Sequence, residues 1–466
     1  MKKILIRSGM SPLDIIEPEY IIARNLIGSN VGNLLYQYGV FRALTTDEIE
    51  LVPDNYKIDH NEADYINETY ECYIIPLADA FRESFRSHLR RYTKLIKKLK
   101  IPVVVIGVGL SAPFEPKLDE GFPFDDDVKN FVSAVLEKSS MIGVRGQITA
   151  DYLTKLGFRE GIDHIVIGCP SMYSFGSQIK IRDTIINKDS LISVNSSLLS
   201  QEKVLKFISK TMEEYPNHYF IPQWRKEMML TYVGSPPIRE NSKYYPTDLS
   251  HPVYKNGRVK FFLNAPTWIE YMKKVDLSFG ARLHGNIAAT LAGTPSLIIP
   301  KDARMRELAE YHNLTSLWWK DIDESTRLEE VLQKVDFKSP EKVQKENFER
   351  FISFLEKNNL EHAYKENHAP DKIPLDKKLE QLNLLPPIEP FSTISSEEKI
   401  DRLRRFYEAQ EEVKIERLRR KYEIKLHDKD KEIEHLEGTL NRKLIRLALG
   451  FADGLSKIKS GLTKNN

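Results

Sequence analysis

The sequence predicts an α/β protein with parallel sheets, and three observations carry that prediction. Short apolar runs alternate with helical patterns along most of residues 1–367. One run, Ile101–Ile106, is almost continuously apolar, which is typical of a strand covered on both faces. Residues 279–299 read as a strand end, a polar turn, a small-residue helix, a Gly-x-Pro break and a buried strand. Such alternation implies parallel strands joined by right-handed crossovers.

Length and composition allow two globular domains and an appendage. The chain has 466 residues, 41% of them hydrophobic, and a domain usually takes about 100–200 residues. Its 69 basic and 67 acidic residues leave a formal net charge of +2, which gives no reason to expect a nucleic-acid partner. Cys72 and Cys169 stand in no metal or redox spacing, and so few cysteines suit a reducing compartment. Because the sequence shows no signal peptide and no run of about 20 apolar residues, we expect a cytoplasmic protein.

The first domain is predicted over residues 1–182. Its predicted strands are Ile4–Ile6, Cys72–Ile75, Ile101–Ile106, Met141–Val144 and His164–Ile167. Its predicted helices are Leu34–Leu44, which follows the polar loop Gly28–Asn33, then Phe85–Lys100 and a helix from Gln147 that ends at Gly157. Gly107-Val108-Gly109 closes the third strand and lets backbone or a ligand approach closely.

The second domain, predicted over residues 183–367, repeats this pattern after a polar junction at 182–189. Its predicted strands are Leu191–Val194, His218–Pro222, Val275–Phe279 and Ser296–Ile299. Two such units side by side place a cleft between the carboxyl edges of both sheets.

Two further segments follow the predicted domains. Residues 368–396 contain proline and leucine without a clear period and are predicted as a linker. Residues 397–466 are predicted as a charged helical tail. Its first part, Glu397–Glu437, favours a long helix that is either solvated alone or part of a coiled coil that makes the protein oligomeric. Its last part, Leu440–Leu462, is a basic amphipathic helix, for which peripheral contact with the inner face of a membrane and a partner helix both stay open.

Arg282 and His284 are the leading candidates for catalysis, because they stand where a strand passes into a helix. The start of that helix offers backbone N–H groups to an anion, here those near Gly285 and Asn286. Arginine binds a carboxylate or phosphate through two N–H groups, and histidine exchanges a proton near neutral pH. The alternative is structural: His284 caps the turn, and Arg282 pairs with an acid such as Asp276.

Other candidates follow the same strand-end argument. Arg145 comes after the Met141–Val144 strand and before a helix, so we expect it at the same cleft, on the first domain's side. A purely structural arginine is disfavoured there by the positive end of the helix dipole. Asn33, Gln223 and Trp224 are candidates for acceptor binding or for lining the cleft, with packing at the domain edge an equal alternative for the last two. The histidines and cysteines show no metal spacing, so we predict no metal.

These segments resemble the polysaccharide pyruvyl transferase family. Residues 278–285, Ser-Phe-Gly-Ala-Arg-Leu-His-Gly, followed by Gly293-Thr294-Pro295, are similar to the Arg-Leu-His signature of that family. Gly143-Val144-Arg145 with Leu153–Gly157 resembles the family's arginine segment and the helix that follows it. Gly32-Asn33 is similar to its N-terminal Gly-Asp or Gly-Asn helix. The likeness spans residues 20–320.

The resemblance implies a GT-B-like fold of two Rossmann-like domains facing a cleft. It implies transfer of pyruvate from phosphoenolpyruvate onto a sugar as a ketal, with release of phosphate. Arg145, Arg282, Gly285 and Asn286 would then bind this donor, and His284 would bind it or transfer a proton. No cofactor is implied, since phosphoenolpyruvate is a co-substrate. The implied acceptor is a glycan or lipid-linked sugar in the synthesis of a cell-surface polysaccharide. Many members have Gly-Asp where this chain has Gly32-Asn33; if that Asp were the base, this chain would need another.

The alternative is a GT-B glycosyltransferase that uses a nucleotide sugar. Such enzymes usually carry a glutamate in the helix that corresponds to 286–292, and this helix has no carboxylate. That difference argues against a nucleotide-sugar donor. A third hypothesis is a non-catalytic scaffold whose tail is the functional part.

Overall fold

Two parallel four-stranded sheets organise most of the chain. A computed structural model describes residues 1–239, 242–364 and 372–462. The first four residues of the predicted linker, 368–371, and the last residues of the predicted tail, 463–466, lie outside the described residues. The chain divides into two compact units, Met1–Arg404 and Arg405–Asn466.

The first sheet is built from the N-terminal part of the chain. Its elements and those that cover it are, in chain order, β1 (Lys2–Ile6), α1 (Pro18–Arg24), α2 (Gly32–Leu44), β2 (Ile49–Pro53), α3 (Ala63–Thr69), β3 (Cys72–Pro76), α4 (Arg86–Lys98), β4 (Val103–Ile106), α5 (Asp125–Leu136), β5 (Ile142–Val144), α6 (Gln147–Lys155) and β6 (His164–Val166). The strand order is β2-β1-β3-β4, all parallel, and β5 pairs with β6 in a separate parallel ladder. Strands β3 and β4 are buried along their whole length, as a sheet covered on both faces requires.

The second sheet follows the same logic. Its elements are, in chain order, β7 (Ile192–Asn195), α7 (Glu202–Glu214), β8 (His218–Phe220), α8 (Arg225–Val233), α9 (Pro252–Lys255), α10 (Ala265–Met272), β9 (Leu277–Gly280), α11 (Leu283–Leu291), β10 (Ser296–Ile298), α12 (Ala303–Tyr311), α13 (Leu328–Leu332) and α14 (Glu341–Lys357). The strand order is β10-β9-β7-β8, again all parallel. Its core joins β7 and β9 to the buried face of α7, where Val204, Phe207 and Ile208 recur at helical spacing.

The predicted α/β class is therefore confirmed. Strand β2 is absent from the sequence prediction, and its composition explains why. It contains Glu50 and ends at Pro53, and it pairs with β1 at the edge of the sheet. Edge strands tolerate charge and proline, which hide them from a search for apolar runs.

Residues 372–396, predicted as a linker, pack within the first compact unit. They contain α15 (Pro374–Leu379), whose Asp376 pairs with the buried Arg42 of α2. Further along, Ile388 forms an antiparallel bridge with Phe261, and the backbone N–H of Phe391 donates to the carbonyl of Thr231 at 2.7 Å. The predicted boundaries of the domains stay predictions.

Long helices end the chain, as predicted. They are α16 (Ser396–Leu440) and α17 (Lys443–Leu462). Whether α16 forms a coiled coil stays a prediction. Of the helices in the described ranges, none combines the length and the apolar character that crossing a lipid bilayer requires.

Candidate active site

A cavity of about 780 Å³ lies where the carboxyl ends of strands from both sheets meet. Arg7 follows β1, Leu77–Ala80 follows β3, Gln223 and Trp224 follow β8, Arg282 follows β9, and Lys301 and Arg304 follow β10. This edge is where open α/β sheets bind ligands, because loops there can vary without disturbing the sheet. The two halves of the first unit are joined beside the cavity. The N–H of Val31 donates to the carbonyl of Gln223 at 2.9 Å, and the N–H of Arg225 donates to that of Ser29 at 3.0 Å.

The lining is strongly basic. Among the described residues that line the cavity, seven are lysine or arginine and one is an acid, Asp79. Asp79 lies 2.5 Å from Arg82 and 3.4 Å from Arg304. Burial alone would raise the pKa of its carboxyl, but these two guanidinium groups hold the pKa well below its usual range. Asp79 is therefore ionised and fixes the two arginines at the cavity wall.

Arg282 is held by a buried carboxylate and an indole ring. Its Nε donates to the carbonyl of Ser196 at 2.7 Å, and its Nη2 lies 3.3 Å from Oε1 of the fully buried Glu227. Its guanidinium carbon lies 3.9 Å from the centre of the Trp224 ring. Glu227 also accepts hydrogen bonds from the N–H groups of Gln223 and Trp224, at 2.8 and 2.6 Å. Arg282 thus presents a fixed positive charge to the cavity, and Asp276, the structural partner considered from the sequence, accepts from the N–H of Leu191 instead.

His284 lies in the first turn of α11 and is 7% exposed. The start of α2 packs so closely on it that a Cβ at Gly32 would lie 2.4 Å from the imidazole Nδ1. Its Nε2 lies 3.9 Å from the thiol of Cys169. Burial, together with the charges of Arg145 and Arg304, lowers the pKa of His284 well below its usual value. The imidazole is therefore neutral at neutral pH and able to accept a proton.

Lys301 is a second titratable group at the cavity wall, and it holds a proton that it can release near neutral pH. Its side chain is 7% exposed, and its Nζ lies 3.5 Å from Asp302. Burial lowers the pKa of the ammonium group to about 8, although Asp302 acts in the opposite direction. At neutral pH most Lys301 is protonated, yet it releases its proton far more easily than an exposed lysine does.

Arg145 does not line the cavity. It is fully buried, and its Nε and Nη2 donate to the carbonyls of Gly107 and Leu77, at 2.6 and 3.4 Å. Its guanidinium carbon lies 5.2 Å from the centre of the Tyr36 ring, and that ring lines the cavity. Arg145 therefore acts on the site through its charge, which lowers the pKa of His284, whereas Arg304 lies at the cavity wall.

Some of the other predicted residues line the cavity, and the rest lie behind its lining. Asn33, Gln223 and Trp224 line the cavity. Gly285 and Asn286 lie behind it. Asn286 donates to the carbonyls of Gly280 and Arg282, and a Cβ at Gly285 would lie 2.9 Å from Nε2 of Gln223. These two residues hold the turn that presents Arg282 and His284.

The sequence prediction did not include Arg7, Asp79, Arg82, Lys301 and Arg304. Arg7 comes directly after the predicted strand Ile4–Ile6, and Lys301 comes two residues after the predicted strand Ser296–Ile299, so the strand-end rule that found Arg145 would have found them. Asp79, Arg82 and Arg304 lie further from strand ends and carry no local motif. Within the described part of the chain, no group of three or more His, Cys, Asp or Glu side chains is arranged to hold a metal ion.

A family model for polysaccharide pyruvyl transferases matches residues 30–302, more than half of the chain. The chain belongs to the polysaccharide pyruvyl transferase family. Membership makes it a transferase. The matched region contains Asp79, Arg82, Arg282, His284 and Lys301, whereas Arg7, Arg304 and the C-terminal helices lie outside it.

The solved structures similar to this pyruvyl transferase family member include UDP-GlcNAc 2-epimerases. The enzyme from Methanocaldococcus jannaschii, solved with UDP-GlcNAc and UDP, is 14% identical over 76% of this chain and 99% of its own, with a TM-score of 0.42. The enzyme from Rickettsia bellii is 10% identical over 76% of this chain and 96% of its own, with a TM-score of 0.40. No curated protein sequence matches significantly. At these scores, the structural likeness carries no information about the substrate of this chain.

Proposed function

We propose that this transferase moves the pyruvyl group of phosphoenolpyruvate onto two hydroxyl groups of a sugar, as a ketal, and releases phosphate. One observation carries the proposal: a basic cavity that also contains a neutral imidazole and an ammonium group whose pKa is about 8. The donor is small and bears a carboxylate and a phosphate. Several fixed guanidinium groups suit such an anion, because arginine binds both groups through paired N–H donors.

The arginines that line the cavity would bind the donor. Arg282, Arg304 and Arg82 are each held by a carboxylate, so they are already oriented before the donor enters. The donor's negative charge would raise the pKa of His284, since it offsets the positive field of Arg145 and Arg304. His284 would therefore become a stronger base once the donor is bound.

The reaction needs one proton added and two removed. Lys301 donates a proton to the methylene carbon of the donor, which becomes a methyl group and leaves the central carbon electron-poor. The first sugar hydroxyl attacks that carbon and gives its proton to His284. The second hydroxyl then attacks the same carbon, the bond to the phosphate oxygen breaks, and this hydroxyl's proton leaves with phosphate. His284 passes the first hydroxyl's proton on to Lys301, through water, which restores both groups. The cavity is far larger than the donor alone requires, which leaves room for the sugar beside Trp224.

The test is phosphate release from phosphoenolpyruvate in the presence of candidate glycan acceptors. Arg282→Ala should lower kcat/KM by about a hundredfold or more, because a fixed charge opposite the donor is lost. Arg306→Ala is the matched control, since Arg306 lies outside the cavity lining and pairs with Glu310. Equal turnover by both variants would remove Arg282 from donor binding. Turnover of a nucleotide sugar without any use of phosphoenolpyruvate would favour the glycosyltransferase alternative.

A further inference from the structure

Helix α17 carries a stripe of large apolar side chains that are exposed. Their exposed fractions lie between 60% and 82%. The members of this apolar stripe are Leu444, Leu447, Phe451, Leu455 and Ile458. At about 100° per residue they fall within an arc of about 80° of the helix circumference. Burial of each side chain would be favourable, so the stripe is expected to be a binding surface.

Basic residues surround the stripe. Lys443 and Lys459 lie just beyond its two edges, and Arg446 and Lys457 lie on the opposite face. The helix has one acid, Asp453, which is also on the opposite face. A binding partner with apolar groups beneath a layer of negative charge would match both the apolar stripe and the basic residues beside it.

A second copy of this helix fits poorly. Lys443 lies on one flank of the stripe and Lys459 on the other, while Asp453, the acid of this helix, lies on the opposite face. Paired helices usually carry complementary charges at these flanking positions, and here both flanks are positive. The apolar heptad series is also incomplete: Leu444, Phe451 and Ile458 are seven residues apart, but the positions seven and fourteen residues after Leu447 are Gly454 and Gly461.

We propose that α17 binds the surface of an anionic lipid bilayer. The helix lies in the plane of the surface, with Phe451 and its neighbours among the acyl chains. The ammonium groups of Lys443 and Lys459 reach back to the headgroup phosphates along their apolar stems. Vesicle binding does not depend on the transferase reaction, so this proposal and the proposed function fail separately.

The experiment is co-sedimentation of the full chain with vesicles. The chain should sediment with equal parts of phosphatidylglycerol and phosphatidylcholine, and should stay in solution with phosphatidylcholine alone. Phe451→Asp combined with Leu455→Asp should reduce the bound fraction by about tenfold or more, because charge enters the acyl region. Lys443→Glu combined with Lys459→Glu, which leaves the apolar stripe intact, should reduce binding to the anionic vesicles as well.

The matched control is Leu449→Asp. Leu449 is 51% exposed on the same helix but lies opposite the stripe, so this variant should bind as the unchanged chain does. Binding that is absent, that ignores lipid charge, or that Leu449→Asp removes equally would overturn the proposal. So would self-association without lipid that Phe451→Asp with Leu455→Asp abolishes, since the stripe would then join two copies.

Discussion

The protonation states of His284 and Lys301 follow from where the chain places them. Both are buried beside guanidinium groups, and both have a lowered pKa, but their usual values differ by several units. The same environment therefore leaves the imidazole neutral and the ammonium group charged. A base and an acid in one cavity are what the proposed reaction needs.

Replacement of His284 tests the base. We expect His284→Gln to lower kcat by about 10²–10⁴-fold, because proton transfer by a positioned group contributes that much. The KM for phosphoenolpyruvate should change little, since the arginines remain. Phosphate release measures both constants, and a thermal melt checks the fold. His60→Gln, an exposed histidine outside the cavity lining, is the control; a His284 variant as active as that control would exclude His284 from proton transfer.

The pH dependence of turnover tests the acid. Lys301 can donate only while it is protonated, so kcat/KM should be constant below a pH of about 8 and fall tenfold per unit above it. Lys301→Arg keeps the charge but supplies no usable proton, so its profile should be low and should lack this limb. Lys320→Arg, outside the cavity lining, should keep the limb. If kcat/KM of Lys301→Arg still falls above a pH of about 8, the titrating group is a residue other than Lys301.

Sequence reasoning located part of the cavity wall and missed the rest for a physical reason. Arg282, His284, Gln223 and Trp224 follow strands that end at this edge, and all four line the cavity. Arg145 follows a strand as well, yet its side chain turns inward to backbone carbonyls. The direction of a side chain after a strand depends on tertiary packing, which strand patterns do not record.

At the scale of helices, α12 is attached to α6 through a buried carboxyl group. Glu307 of α12 accepts from the backbone N–H of Thr149 at 2.9 Å and from its hydroxyl at 2.8 Å. Burial raises the pKa of this carboxyl to about 8 from its usual value of 4.5. Glu307 is therefore mostly protonated at neutral pH and bridges the two halves of the first unit as a neutral group.

This bridge predicts how stability depends on pH. The folded state keeps a proton on Glu307 that the unfolded state releases above a pH of about 4.5, so stability falls as pH rises from there to about 8. The contribution is at most about 1.4 kcal/mol per pH unit. Glu307→Gln keeps the shape and carries no titrating proton, so its melting temperature should fall less over this range. Identical pH dependence in both proteins would show that Glu307 is ionised in the folded state.

Helices and strands whose apolar residues recur at one regular spacing could be predicted from the sequence. The strand at the edge of the first sheet could not. The strands β3 and β4 are apolar throughout, and the buried face of α4 repeats Leu89, Tyr92 and Ile96 at helical spacing. The polar edge strand β2 was missed, and residues 372–396 lack a period because they cover other elements rather than form a layer.

At the scale of the whole molecule, a basic cavity lies where the two parallel sheets meet, and a basic amphipathic helix, α17, follows in the second compact unit. The sequence predicted both sheets, because alternating strand and helix patterns admit few topologies. It also predicted the amphipathic character of α17. What it could not predict is which cations meet at the cavity, since Arg82 and Arg304 come from distant parts of the chain and follow no local motif.

Thermal melts with added ligand test whether this cavity binds phosphoenolpyruvate. Phosphoenolpyruvate should raise the melting temperature of the unchanged chain. At a hundredfold excess over its Kd, the ligand should add about 2.7 kcal/mol to the free energy of unfolding. Arg304→Ala should lose that rise, and Arg306→Ala, on the same helix, should keep it. A rise with nucleotide sugars and none with phosphoenolpyruvate would contradict the claim.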